Sequence, residues 1–152
     1  MRKPRHNIKI EKFLPHRPPM LMECEVPFLD GESVETNFNI THTSIFTDTK
    51  GYFSEAGIIE NAAQACSAIT GQDFFEDDDH DGNGNRVVGY ISAIKKAEIF
   101  LLPKVGDTLI TKASLISRYD TNDMSICTIE ASSFRNGDLV VNCILNFLIH
   151  EV

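Results

Sequence analysis

Gly51-Tyr-Phe-Ser-Glu-Ala-Gly-Ile-Ile-Glu-Asn-Ala-Ala-Gln-Ala-Cys66 sets the carboxylate of Glu60 and the amide of Gln64 into an otherwise apolar, small-residue segment. Ser54 is a natural N-cap with Glu55 in the first turn, and Gly71 is a natural C-terminal stop, so the stretch between them predicts one helix. Glu60, Gln64 and Ser67 fall at i, i+4 and i+7 and share a face. Ile58, Ile59, Ala62, Ala63, Ala65, Cys66 and Ile69 cover the rest. A helix that is apolar nearly all round belongs inside something. Burying a glutamate there costs several kcal/mol unless the carboxyl is paired, hydrogen-bonded or protonated, which makes Glu60 a candidate acid or base.

Working outward, the chain has 152 residues and is 42% hydrophobic, enough for one domain with one core, so we read residues 1–152 as a single unit. No apolar run approaches bilayer length, and the basic start Met-Arg-Lys-Pro-Arg-His leads into no apolar leader segment; a soluble, cytoplasmic protein away from membranes is the expectation. The formal net charge of −8 argues against a nucleic-acid binder, although Glu76-Asp-Asp-Asp-His-Asp81 supplies much of it. Cys24, Cys66, Cys127 and Cys143 lie far apart without a C-x-x-C pair, which predicts buried free thiols.

Residues 8–14 read as a short amphipathic turn or helix ended by Pro15, followed by the stiff segment Leu14-Pro-His-Arg-Pro-Pro-Met20. Strands are predicted at 20–28 and 34–40, joined by a turn at Asp30-Gly31. Beyond the helix, further strands are predicted at 86–100, 108–118, 124–134 and 139–151. Asn136-Gly137 between the last two is a type I′ hairpin signal. Two strands, one buried helix and four more strands predict an α+β domain: an antiparallel sheet wrapped around one long central helix. The strand at 86–100 is a candidate edge for pairing with a second subunit.

Several segments now resemble one family. Leu14-Pro-His-Arg-Pro-Pro-Met-Leu-Met22 is similar to the opening "LPHRxPxLL" of the hotdog-fold beta-hydroxyacyl-acyl-carrier-protein dehydratases, and Gly57-Ile-Ile-Glu-Asn-Ala-Ala-Gln-Ala65 to their "GxxxIEAMAQA" helix. Gly89-Tyr-Ile-Ser-Ala-Ile-Lys-Lys-Ala97 with Pro103-Lys-Val-Gly-Asp107 resembles a third segment of that family, and the likeness runs over nearly the whole chain. The resemblance implies a hotdog fold and removal of water from a 3-hydroxyacyl thioester in fatty acid or polyene-type lipid synthesis. It further implies a substrate carried on the phosphopantetheine of an acyl carrier protein, no metal or redox cofactor, and a homodimer or a heterodimer with another hotdog subunit. Glu60 falls on the family's catalytic acid and Gln64 on its motif glutamine. The family's "GHFP" histidine falls here on Phe46, so the chain is closest to a divergent subfamily that keeps only the "LPH" histidine.

Dehydration needs a base for the proton beside the carbonyl, an acid for the departing hydroxyl and a donor for the thioester oxygen. Glu60 suits the acid role. His16 is the remaining candidate base, with loop anchoring as its structural alternative. Gly57, or the backbone at Gly51 or Ala56, is a candidate donor at the helix N-terminus. Arg17, Lys95 and Lys96 are candidate contacts for an acidic carrier protein. His42, His80 and His150 read as bystanders. Asp77, Asp79 and Asp81 match half of a calcium loop without its closing acid, and read as a solvated loop. Phe46, Phe53, Phe74, Phe75, Tyr90 and Phe100 line an acyl tunnel or fill the core. The rival functions are a non-catalytic, acyl-binding hotdog subunit and a thioesterase of the same fold.

Overall fold

The computed structural model describes residues 2–22, 25–74 and 87–152. It has seven strands and one long helix: β1 (Arg5–Ile8), β2 (Glu25–Leu29), β3 (Ser33–Asn39), α1 (Glu55–Gly71), β4 (Val87–Ile99), β5 (Thr108–Asp120), β6 (Met124–Arg135) and β7 (Asp138–Glu151). All pairings are antiparallel, in the order β1-β2-β3-β5-β6-β7-β4. This is the expected α+β hotdog architecture, with β4 at the sheet edge.

The alternation that predicts strands also builds the core. Val34 and Phe38 of β3, Leu109 and Ala113 of β5, Cys127, Ile129 and Ala131 of β6, and Val141, Cys143 and Leu145 of β7 point at α1 and are buried. From the helix, Ile58, Ala62, Ala65, Cys66, Ala68 and Ile69 are almost wholly enclosed. Small helix residues let the sheet approach closely enough to wrap the helix. Burial pushes the Cys143 thiol up to about 11, and raises Cys127 as well, so both are inert packing thiols at neutral pH. Cys66 is likewise buried and free, and Cys24 lies outside the described residues.

Ser54 caps α1 by accepting from the Gly57 amide at 3.3 Å. The helix ends at Gly71 as expected, but not through a left-handed stop, since the next residue, Gln72, is still right-handed. Instead, a Cβ on Gly71 would stand 2.7 Å from the Phe13 carbonyl oxygen, so glycine is required for close approach. Asn136 and Gly137 adopt φ of 50° and 82°, as a type I′ turn demands.

The N-terminal expectation needs correction. Arg5–Ile8 pairs with β2, and only Ile10–Lys12 is helical, as a single 3-10 turn. A four-residue strand with no alternating pattern gains its structure from its partner, which local sequence does not display. Of the strand expected at 20–28, residues 20–22 are not extended ladder, and the described strand runs over Glu25–Leu29. The half calcium loop, His80 and Phe75 lie outside the described residues. Among the described residues no helix is long and apolar enough to cross a membrane, and no cluster of three His, Cys, Asp or Glu could hold a metal.

Candidate active site

One face of α1, carrying Glu60, Gln64 and Ser67, looks toward β4 across a seam. Three openings follow one another along it. Near the helix N-terminus lies a wide groove of about 550 Å³, lined by Glu55, Ala56, Ile59 and Glu60 against Ile94 and Ala97. The middle opening, about 240 Å³, is lined by His16, Glu60, Gln64, Ser67, Gly89 and Phe147. Beyond it, an apolar recess of about 60 Å³ is closed by Phe13, Leu14, Thr70, Gly71, Val87 and Ile149. Glu60 belongs to the first two openings, whereas His16, Ser67, Gly89 and Phe147 belong to the last two. The three openings therefore share lining residues along one seam, and Glu60 and His16 both line the middle one.

The structure brings those two together. His16 Nε2 lies 3.7 Å from Glu60 Oε1, and the side chains are 31% and 23% exposed. Glu60 is half-buried at a cleft wall and not fully enclosed, as an acid that must meet a substrate has to be. The partner that its burial demands is Gln64, whose Nε2 donates to Glu60 Oε1 at 3.0 Å. The second imidazole nitrogen, Nδ1, is enclosed and meets no hydrogen-bond partner among the described residues. Nε2 is thus the imidazole nitrogen that faces Glu60.

The loop carrying His16 is held from both sides. The carbonyl of Arg17 accepts from the amides of Met20 and Leu21, at 3.0 and 3.1 Å. Arg17 Nη1 donates to the carbonyls of Leu14 and His16, both at 2.8 Å. Arg17 therefore clamps its own loop, a use of this residue that its basic charge alone does not reveal. From the helix side, Gln64 Nε2 donates to the Met20 carbonyl at 2.9 Å, and Gln64 Oε1 accepts from the Met22 amide at 2.7 Å.

Gly57 is not placed to bind a thioester oxygen. Its amide is taken by the Ser54 cap, and a Cβ there would meet Phe46 at 2.6 Å and Phe53 at 2.7 Å. Its smallness serves packing, and Phe46 fills space at the position of the family's loop histidine. The Gly51 amide is also committed, donating to the Asp48 carbonyl at 3.0 Å. Ala56, the third candidate, lies in the first turn of α1 and lines the groove, and amides in that turn lack intrahelical acceptors.

Lys95 and Lys96 line none of the three openings. Both are exposed on β4, and Lys96 pairs with Glu98 at 2.9 Å, a contact that raises the pKa of its ammonium. His42 is exposed, and His150 stacks on Tyr90 on the sheet. Phe53 is core. Two contributors sit inside the quoted segments without a role having been read for them: Gly89, which lines the middle opening, and Asn61, which is fully buried on the helix.

The model of the ApeP-like family, described as ApeP dehydratase, matches residues 8–147. Among solved structures, the dehydratase heterocomplex ApeI:P from Xenorhabdus doucetiae superposes with a TM-score of 0.75 at 17% identity, covering 95% of this chain and 91% of that one. A hypothetical thioesterase with coenzyme A from Streptococcus pneumoniae TIGR4 gives a TM-score of 0.58 at 10% identity over 84% and 85% of the two chains. The protein smu.793 from Streptococcus mutans UA159, bound to acetyl CoA, gives 0.60 at 10% identity over 90% and 94%. At these identities the solved structures establish a shared fold. No curated protein matches the chain.

Proposed function

Because the chain belongs to the ApeP-like dehydratase family, we propose that it removes water from a 3-hydroxyacyl thioester presented on the phosphopantetheine arm of an acyl carrier protein. The observation that carries this reading is the carboxyl–imidazole pair, 3.7 Å apart at the middle opening of the seam between α1 and β4. His16 Nε2 takes the proton from the carbon beside the carbonyl. Glu60, in the acid role, gives a proton to the 3-hydroxyl, which leaves as water while the carbon–carbon double bond forms. The two transfers leave an imidazolium beside a carboxylate, and one proton moving across the short gap resets the pair. Acid and base on one side of the substrate fit a syn elimination. The Ala56 amide at the start of α1 stabilises the thioester oxygen as negative charge develops there. The C–H and C–O bonds break and the double bond forms with no net gain or loss of electrons, so the step calls on no redox cofactor.

The seam gives each part of such a substrate a place. The thioester enters through the groove at the helix start, and the acyl tail runs past Gly89 into the recess. A Cβ on Gly89 would meet only Ile149 Cγ1, at 3.7 Å, so a side chain can be introduced without disturbing backbone. Gly89→Leu should therefore fold normally and selectively lose the longer substrates, with the four-carbon substrate retained, measured as kcat/KM across a series of acyl chain lengths.

A partner subunit completes the picture. β4 is thirteen residues long, pairs only with β7 in the described sheet, and exposes Tyr90, Ile91 and Ile94. Such an edge is a ready template for another strand. A second hotdog subunit docking there, of the same or a different sequence, would also roof the seam. Ile94→Asp should abolish this assembly and yield monomers by light scattering; unchanged oligomers would place the interface elsewhere.

A second reading has its own observation. Phe46 occupies the position of the family's loop histidine, which favours a non-catalytic, acyl-binding subunit that serves an active partner. Incubating the purified protein with a 3-hydroxyacyl carrier protein and resolving products by mass separates the possibilities. Enoyl product from the protein alone supports dehydration by the His16–Glu60 pair. Product only after mixing with a partner subunit supports the second reading. Free acid would mean thioester hydrolysis and would overturn both.

A further inference from the structure

Residues 20–22 lie outside the sheet ladders, yet Met22 is 1% exposed. Its backbone groups need partners, and helix side chains supply them. The amide goes to Gln64 Oε1 at 2.7 Å, and the carbonyl accepts from Asn61 Nδ2 at 2.6 Å. Asn61 and Gln64, at i and i+3 on α1, act together as a substitute strand for this one residue. Asn61 is itself 0% exposed, and its Oδ1 accepts from Thr111 Oγ1 of β5 at 3.2 Å. The Thr111 hydroxyl is in turn 2.7 Å from that of Ser133 on β6. One polar chain thus runs from the centre of the sheet, through the helix, to the end of the segment that carries His16. In the family pattern that the helix otherwise resembles, alanine stands at this position. A buried amide is an expensive replacement for alanine unless it does something alanine cannot.

We propose that Asn61 is a positioning residue for the His16–Glu60 pair. It fixes Met22, so that Gln64, which must also hold Glu60 and the Met20 carbonyl, is not the sole tether of the His16 loop. This inference rests on the proposed chemical use of that pair, but its test needs no turnover. In the wild-type protein the His16 imidazole NMR signals should move when Glu60 is changed to Gln, because the two groups are 3.7 Å apart. In an Asn61→Ala background the same Glu60→Gln change should leave those signals still. A displacement of about 1 Å at a reacting group costs on the order of 10²-fold, so kcat should fall by about that factor in Asn61→Ala with KM held within a few-fold. Thr111→Val is nearly isosteric and removes only the far end of the chain; it should give the same effects in weaker form, and serves if Asn61→Ala does not fold. Folded variants in which Glu60→Gln still shifts the His16 signals as in the wild type would overturn the inference. Loss of that coupling in a protein that never forms enoyl product would sustain it while ending the dehydratase reading.

Discussion

Glu60→Gln should lower the rate of enoyl formation by about 10²- to 10⁴-fold, the range expected for removing a general acid. Glutamine keeps the length of the side chain, and its carbonyl oxygen can still accept from Gln64 Nε2, which now bonds Glu60 at 3.0 Å. The cleft wall should survive, and thermal stability with it. Only the transferable proton disappears. Rates measured with a short 3-hydroxyacyl carrier protein, alongside a melting curve, test this directly. A Glu60→Gln protein with the wild-type rate would remove Glu60 from the chemistry and leave His16 without a partner. His16→Gln supplies the complement: loss of both activities to the same floor would show the two residues working as one unit, as coupled acid–base groups do.

Gly57→Ala should destabilise the fold although it adds only one methyl group. The added methyl would stand 2.6 Å from Phe46 Cβ and 2.7 Å from the Phe53 ring, and Phe53 is itself fully buried. Neither neighbour can retreat by a simple rotation, because one contact is to a Cβ and the other to an enclosed ring. Overpacking of this kind costs about 1–3 kcal/mol. For a chain of this size that corresponds to a fall in melting temperature of roughly 2–12 °C. Denaturant unfolding followed by circular dichroism provides the measurement. A change near zero would mean that the loop bearing Phe46 gives way freely, and the packing role assigned to Gly57 would fall.

The helix was readable because its pattern is local: a cap at Ser54, an apolar body and the glutamate–glutamine stripe are all visible within seventeen residues. The hairpin at Asn136-Gly137 was readable for the same reason, since both residues favour the positive φ they adopt. β1 was not, because Arg5–Ile8 owes its extended form to a partner some twenty residues away. The site divides along the same line. Glu60 and Gln64 announce themselves as polar residues in an apolar helix. His16 could be named but not placed, because its 3.7 Å approach to Glu60 depends on hydrogen bonds spanning some forty residues of sequence. Gly57 misled: a glycine at a helix start suggests access for a ligand, and only the rings above it show that the space is already filled. Arg17 holds more than its charge announces, since its Nη1 donates to two carbonyls of its own loop.

The bare flank of β4 has a consequence for how such a protein must be made. Along β4 the backbone groups facing away from β7 have no strand partner in the described sheet, and with Ile91 and Ile94 exposed beside them that edge recruits extended segments. If the intended mate is a different polypeptide, an orphan copy is a hazard from the moment it leaves the ribosome. Balanced supply of the two chains, and co-expression in the laboratory, then becomes a requirement of solubility as much as of activity.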